Sequence, residues 1–289
     1  MKTDSSQILP PKIQPGLYIV ATPIGNLRDI TLRALDVLAQ AELILCEDTR
    51  VSAKLLSHYG VHAPTLSYND HNGSERRPAI MQALREGKRV ALVSDAGTPL
   101  ISDPGYKLVR DVVNDGIYVS VLPGASSVMA ALCIAGLPTD RFFFAGFLPV
   151  KQEACRKAIR ELKSIPATLV IFESARRLPE TLMLLVQELG NREAAVTREL
   201  TKLFEEARRG TLSELAAIYE KEGEPKGEVV LVIGPPLEEE TSDADIERSL
   251  AMLLKTHSVK EAASIVAEQS GRPRKEVYTL ALKLVNNNE

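Results

Sequence analysis

Four short segments hold most of the residues able to do chemistry. Glu47-Asp48-Thr49-Arg50 sets two carboxylates and a guanidinium within four positions. The stretch Ser94-Asp95-Ala96-Gly97-Thr98-Pro99-Leu100-Ile101-Ser102-Asp103-Pro104-Gly105 carries two more carboxylates among small residues, which let a backbone approach a ligand closely. Thr22-Pro23-Ile24-Gly25-Asn26-Leu27 and Leu122-Pro123-Gly124-Ala125-Ser126-Ser127 add Gly/Pro turns and hydroxyls, and Ser126 and Ser127 are placed either to cap a following helix or to bond a ligand. Such a set suits a cleft with carboxylates and a small-residue floor, where a carboxylate can draw a proton from a weak nucleophile. Each segment also has a plainer reading: a tight turn, a salt-bridged helix start, or a loop with Asp caps.

Other chemistries find no support. The glycine spacings of dinucleotide and phosphate loops are missing, which weighs against NAD and ATP. No Gly-x-Ser-x-Gly elbow occurs, and none of the four histidines lies in these loops. Cys46, Cys133 and Cys155 are widely spaced and match no zinc pattern, so no metal is expected, and their odd number fits a reducing compartment.

The elements that must position these loops are legible as short apolar runs: Leu17–Ala21, Leu43–Cys46, Val90–Val93, Val119–Leu122, Thr168–Phe172 and Glu228–Ile233. Most are continuously apolar, as in central strands covered on both faces. Helical patterns lie between them, among them Ile30–Gln40, with Asp29 placed to cap it, Tyr106–Asn114 and the basic Lys151–Lys163. Strand-helix alternation predicts α/β layers, with each loop at the carboxyl end of a strand, where α/β proteins bind ligands. Pro138–Pro149 reads as a crossover or hinge.

The chain divides into a flexible tail over 1–15, an α/β domain over 16–138, a second over 139–234, a linker over 235–244 and a helical module over 245–289. The linker carries Pro235-Pro236 and an acidic run. Beyond it, Asp245–Lys255, Ser258–Gln269 and Arg274–Val285 read as three helices, with a capping box at Ser258 and Glu261. Gly271 and Pro273 break the last two apart, giving either a helix-turn-helix or a plain three-helix cap.

Of the 289 residues, 45% are hydrophobic and 25% charged, and the formal net charge is −3. That is ordinary for a soluble globular protein, and bulk charge gives no sign of nucleic-acid binding. A local basic cluster, Arg272, Arg274 and Lys275, surrounds the Gly/Pro turn before the last helix, either as a solvated turn or as a grip on nucleic-acid phosphates. No apolar stretch approaches bilayer length and the N-terminus lacks a signal-peptide core, so the expected location is cytoplasmic, without a membrane partner.

Taken together, the four loops and Phe172-Glu173-Ser174 resemble the small-subunit ribosomal RNA methyltransferase I family of the tetrapyrrole-methylase superfamily. The likeness runs from about Gly16 to the last helix. It implies two α/β domains with a cleft between them, a helix-turn-helix-like C-terminal extension, and a homodimer. It implies S-adenosylmethionine as methyl donor, without metal. It implies the ribose 2′-hydroxyl of a cytidine in ribosomal RNA of the small subunit as acceptor. By the same likeness the donor contacts fall on Ile24, on Gly97, Thr98, Pro99, Leu100 and Ile101, on Ser126 and Ser127, and on Phe172. Gly227-Glu228-Val229 lies near the adenine. Where many superfamily members have Gly-Asp-Pro this chain has Gly97-Thr98-Pro99, so either Thr98 or Asp95 meets the methionine portion. Glu47, Asp48 and Asp95 are the candidate bases, and Arg50 either holds an RNA phosphate or orients the carboxylates. Two alternatives stand beside this reading. One is a methyltransferase of the same fold acting on a tetrapyrrole; the other is a non-catalytic, donor-binding RNA module.

Overall fold

The computed structural model describes residues 12–236 and 243–286. The expected tail thus lies almost wholly outside the described residues, as do positions 237–242 of the expected linker. The described residues form two compact units that part at Pro236.

The first unit begins with a five-stranded parallel sheet of β1 (Gly16–Val20), β2 (Leu43–Cys46), β3 (Thr65–Ser67), β4 (Arg89–Val93) and β5 (Val119–Leu122), in the order β3-β2-β4-β1-β5. Four helices, α1 (Leu32–Gln40), α2 (Thr49–His58), α3 (Gly73–Arg85) and α4 (Tyr106–Asn114), make the crossovers. They sort by face. α1 and α2 cover Tyr18, Val20, Ile44 and Ala91, whereas α3 and α4 cover Leu17, Leu45, Val90 and Leu92. Two-sided burial explains why these strands are continuously apolar. Because all five are parallel, the loops after β1, β2, β4 and β5 emerge at one edge.

A fifth helix, α5 (Ser127–Ala135), leads into a second sheet of β6 (Phe142–Phe147), β7 (Thr168–Ser174), β8 (Glu193–Arg198), β9 (Glu206–Thr211) and β10 (Glu228–Ile233), ordered β6-β7-β10-β8-β9. Only β6 and β7 are parallel; the other pairs are antiparallel. Helices α6 (Gln152–Leu162), α7 (Leu178–Leu189) and α8 (Leu212–Glu222) cover one face through Leu169, Ile171, Leu231 and Val196. The opposite face, with Val170, Ala195, Val230 and Val232, packs on Val128, Ala131, Leu132 and Ala135 of α5 and on Ile24. α5 thus joins the two sheets.

Two local expectations are corrected. Thr31, not Asp29, caps α1, its hydroxyl accepting from the Ala34 N–H at 3.1 Å; Asp29 lies in a 3-10 turn over Leu27–Asp29. Half of the expected crossover or hinge at Pro138–Pro149 is strand β6, which pairs with β7 at the sheet edge. Its run of aromatics, bracketed by prolines, conceals a strand carrying a bulge.

The second unit holds α9 (Asp243–Leu253), α10 (Val259–Ser270) and α11 (Arg274–Asn286) around Ile246, Leu250, Ala262, Ala263, Val266, Val277 and Ala281. The capping box at Ser258 and Glu261 is formed, and Gly271 takes the left-handed conformation at φ +67° that ends α10.

Candidate active site

The parallel edge of the first sheet and the α5-facing side of the second enclose a cleft of about 510 Å3. Its lining includes Ile24, Glu47, Asp95, Ser127 and Phe172, together with Gly227, Glu228 and Val229 from the expected adenine side. Sequence reasoning singled out all of these. It did not single out Ser102, Asp103, Phe147, Glu173 or Leu200 as site residues; Ser102, Asp103 and Glu173 lie within segments it quoted, Phe147 within the expected crossover or hinge, and Leu200 near no segment it quoted.

Hydrogen bonds tie the loops to one another. Thr22 and Gly97 exchange both backbone hydrogen bonds, at 2.8 and 3.0 Å, and so tie the first loop to the third. The Thr22 hydroxyl donates to the Ser94 carbonyl at 3.1 Å. The Thr98 hydroxyl donates to the Ala125 carbonyl at 3.2 Å, binding the third loop to the fourth. At Gly124 an added Cβ would stand 2.9 Å from that of Ala21, so only glycine permits this approach. Ser126 caps α5, and its neighbour Ser127 faces the cleft.

Among the described residues, those other than glycine with positive φ all lie in two segments bordering the cleft: Leu100 (77°), Ser102 (66°), Glu199 (50°) and Thr201 (65°). Backbone strain of this kind persists only where surroundings enforce it. Around Glu199 and Thr201 the enforcement is visible. Lys202 Nζ reaches Glu199 and Glu228, each at 2.9 Å, and the Asn26 N–H donates to Thr201 Oγ1 at 3.1 Å. The segment straps the second sheet to the first loop.

The cleft lining carries Glu47, Asp95, Asp103, Glu173 and Glu228 and no basic residue. Lys202 answers Glu228, and Arg177 lies 3.5 Å from Glu173. Among the described residues Glu47, Asp95 and Asp103 join no ion pair. Burial pushes the Glu47 carboxyl up, helped by the charges of Asp103 and Asp95. Burial likewise pushes Asp103 up, against a hydrogen bond from Ser94. A carboxylate held above its ordinary value is a better base at neutral pH. Asp95 Oδ1 accepts from the Asp48 N–H at 3.0 Å, which locks the second loop to the third.

Asp48 and Arg50 stand apart from this group. Asp48 caps α2, accepting from the Arg50 N–H at 2.8 Å, and pairs with the Arg50 guanidinium at 2.5 Å. Those bonds from Arg50 bring its carboxyl down to about 2. Gly97, Thr98, Pro99, Leu100, Ile101 and Ser126 shape the loops around the cleft without lining it. Of the three basic residues expected to meet RNA, Arg274 and Lys275 are exposed, while Arg272 is half-buried and pairs with Asp243 and Glu276. Among the described residues no group of His, Cys, Asp and Glu is placed to hold a metal ion.

The chain matches the family model Tetrapyrrole (Corrin/Porphyrin) Methylases over residues 16–216, and the RsmI C-terminal HTH domain over 240–285. It is 50% identical over 273 residues to "Ribosomal RNA small subunit methyltransferase I" of Mesorhizobium japonicum, covering 94% of this chain and 93% of that protein. To the protein of that name from Escherichia coli O157:H7 it is 45% identical over 273 residues, covering 93% and 96%. Among solved structures, a diphthine synthase shares the fold at a TM-score of 0.59 and 16% identity, covering 75% of this chain and 89% of that one. A uroporphyrin-III C-methyltransferase from Thermus thermophilus, complexed with S-adenyl homocysteine, does so at 0.52 and 22%, covering 76% and 97%. With both domains matched along nearly its whole length, the chain belongs to the ribosomal RNA small subunit methyltransferase I family of the tetrapyrrole methylases.

Proposed function

We propose that the chain transfers the methyl group of S-adenosylmethionine to the ribose 2′-hydroxyl of a cytidine in small-subunit ribosomal RNA. The observation that carries the reading is the cleft: an apolar floor of Ile24, Phe172, Leu200 and Val230 facing Glu47, Asp95 and Asp103. That chemistry fits the donor, since apolar side chains suit a nucleoside and unpaired carboxylates attract a sulfonium and an ammonium. When bound, the donor supplies an electrophilic methyl.

Ile24, Ser127, Phe172 and the Gly227–Val230 strand hold the donor, and the linked first, third and fourth loops keep that site in shape. Preorganisation of this kind supplies much of the rate in a displacement that needs in-line approach. Glu47 takes the proton of the attacking hydroxyl, its basicity raised by burial and by Asp95 and Asp103. Asp95 also orients the loop that carries Glu47, through the Asp48 N–H. Asp48 and Arg50 start α2 and hold the second loop, and Arg274 and Lys275 meet RNA phosphates. The protein acts in the cytoplasm as a homodimer, with no membrane partner; no helix among the described residues is long and apolar enough to cross a bilayer.

Purified protein given labelled donor and a choice of small subunits or a porphyrinoid tests the reading. Label in the RNA, together with an unmethylated cytidine in the small-subunit RNA of a deletion strain, supports it. Label in the porphyrinoid, or donor binding without transfer, overturns it.

A further inference from the structure

An aromatic side chain at the cleft mouth lacks a role in the scheme above. Phe147 ends β6 and is 63% exposed, yet it lines the cleft. Its position results from a backbone irregularity. Side chains alternate along a strand, and Phe144 packs on the α5 side of the sheet while Ala145 packs on the opposite side. Continued alternation would turn Phe147 away with Ala145. Instead the register to β7 slips between Phe144 and Gly146: Phe144 faces Val170, Gly146 faces Ile171 and Phe147 faces Phe172. Gly146 sits at φ +67°, and a Cβ there would come 3.4 Å from Ser102 Oγ. The bulge moves Phe147 onto the cleft side, the re-aiming for which bulges beside active sites are known.

The rings of Phe144, Phe172 and Phe147 then run edge to face toward the mouth, with centroids 4.8 and 5.3 Å apart. The inner members of the apolar wall are covered: Ile24, Leu200 and Val230 are buried and Phe172 half-buried. Phe147 alone of this wall is mostly open. An enclosed apolar floor suits a ligand that is bound first and held, and an open ring suits a planar group that arrives from solvent. Phosphates are kept from this place by Glu47, Asp95 and Asp103, which no cation neutralises among the described residues. What an RNA can lay there is a base.

Resting on the proposed function, we propose that Phe147 is the stacking platform for the nucleobase of the acceptor nucleotide. It holds that base at the mouth so that its ribose reaches past the ring to the carboxylates. The side chain reads no hydrogen-bonding edge, so it orients the nucleotide without choosing its identity.

The test compares wild type with Phe147→Ala, Phe147→Leu and Phe147→Trp, all full-length. Donor affinity is read by calorimetry, subunit affinity by fluorescence anisotropy, and transfer by label in the RNA. Loss of one base stack should weaken subunit binding about tenfold in the Ala and Leu variants, with donor affinity within twofold of wild type, while Trp restores binding. An equal loss of donor affinity would make Phe147 part of the donor site and overturn the proposal. Full activity of the Leu variant would overturn it as well, since an apolar contact without a ring would then suffice. A wild-type protein that binds donor but labels no RNA brings down the proposed function along with this inference. Wild-type labelling with unaffected variants removes the inference alone.

Discussion

Replacing Thr181 by Val removes one hydroxyl from a buried polar cluster and changes little else in shape. Thr181 is 2% exposed and Glu173 3%, and the Thr181 hydroxyl donates to Glu173 Oε2 at 2.7 Å. Glu173 Oε1 accepts from the Ser174 N–H, also at 2.7 Å, and the Arg177 guanidinium lies 3.5 Å from Oε2. A hydrogen bond to a charged group contributes about 1.5–3 kcal/mol net. Two partners remain, so the carboxylate is not orphaned and the lower half of that range applies, about 2 kcal/mol. For a unit of this size that corresponds to a fall in Tm of roughly 4–8 °C. Urea unfolding should show a lower midpoint with unchanged slope, since the surface exposed on unfolding is the same. Donor affinity should stay within twofold, because Glu173 is framed by the sheet and Thr181 never reaches the cleft. A loss below about 0.5 kcal/mol, the scatter of neutral surface changes, would refute the account of Glu173 as a carboxylate held by the fold.

Glu47→Gln should cut transfer at least a hundredfold, as expected for loss of a general base, with donor affinity nearly kept; retained turnover would exclude Glu47 as base. The Glu47 carboxyl is pushed up in the folded chain, so its contribution to stability is present below the ordinary glutamate range and is lost as pH rises through the raised value. The Gln variant should therefore melt higher than wild type at pH 7 and no higher near pH 3, which differential scanning calorimetry at the two pH values would check. Gly124→Ala sets a methyl 2.9 Å from the Ala21 methyl, and such overpacking costs about 1–3 kcal/mol. It should weaken donor binding by spreading the first and fourth loops, and calorimetry showing wild-type affinity would count against their role. Replacing Arg274 and Lys275 together by Ala should weaken subunit binding and make its salt dependence shallower by about two units, one for each phosphate contact. An unchanged slope would leave the last helices without an RNA contact at this turn.

Four of the five parallel strands were legible because burial on both faces writes unbroken apolar runs, whereas the three-residue β3 at the edge was not; β2 and β5, and β10 of the second sheet, have the bounds read from the sequence. β8 and β9 escaped notice because an antiparallel hairpin need not be apolar throughout. Glu206-Ala207-Arg208-Arg209-Gly210-Thr211 carries charges that pair across the surface with Arg198 and Glu222. β6 was hidden by its prolines and bulge. In the site, Glu47 and Asp95 were legible from type and position after a strand. Asp48 has the same signature, yet its carboxylate turns back on its own helix, and a sequence does not distinguish a cap from a cleft residue. Asp103 lay within the quoted loop, but its place beside Glu47 depends on the turn at Leu100 and Ser102, where non-glycine residues take a conformation that composition does not announce. Phe147 required knowing the register.

The placement of α5 bears on how the chain is made. Val128, Ala131, Leu132 and Ala135 leave the ribosome with the first sheet, but the surface they cover includes Val230 and Val232 of β10. β10 is the last strand of the second sheet to be synthesised. At 5–20 residues per second, the stretch between α5 and β10 takes of order ten seconds to appear. During that interval the nascent chain carries an apolar helix that Ile24, Val170 and Ala195 can cover only in part, a segment for a chaperone to shield. Substitutions that slow β10 or delay its pairing should therefore show up first as aggregation during synthesis, before any loss of stability in the finished protein.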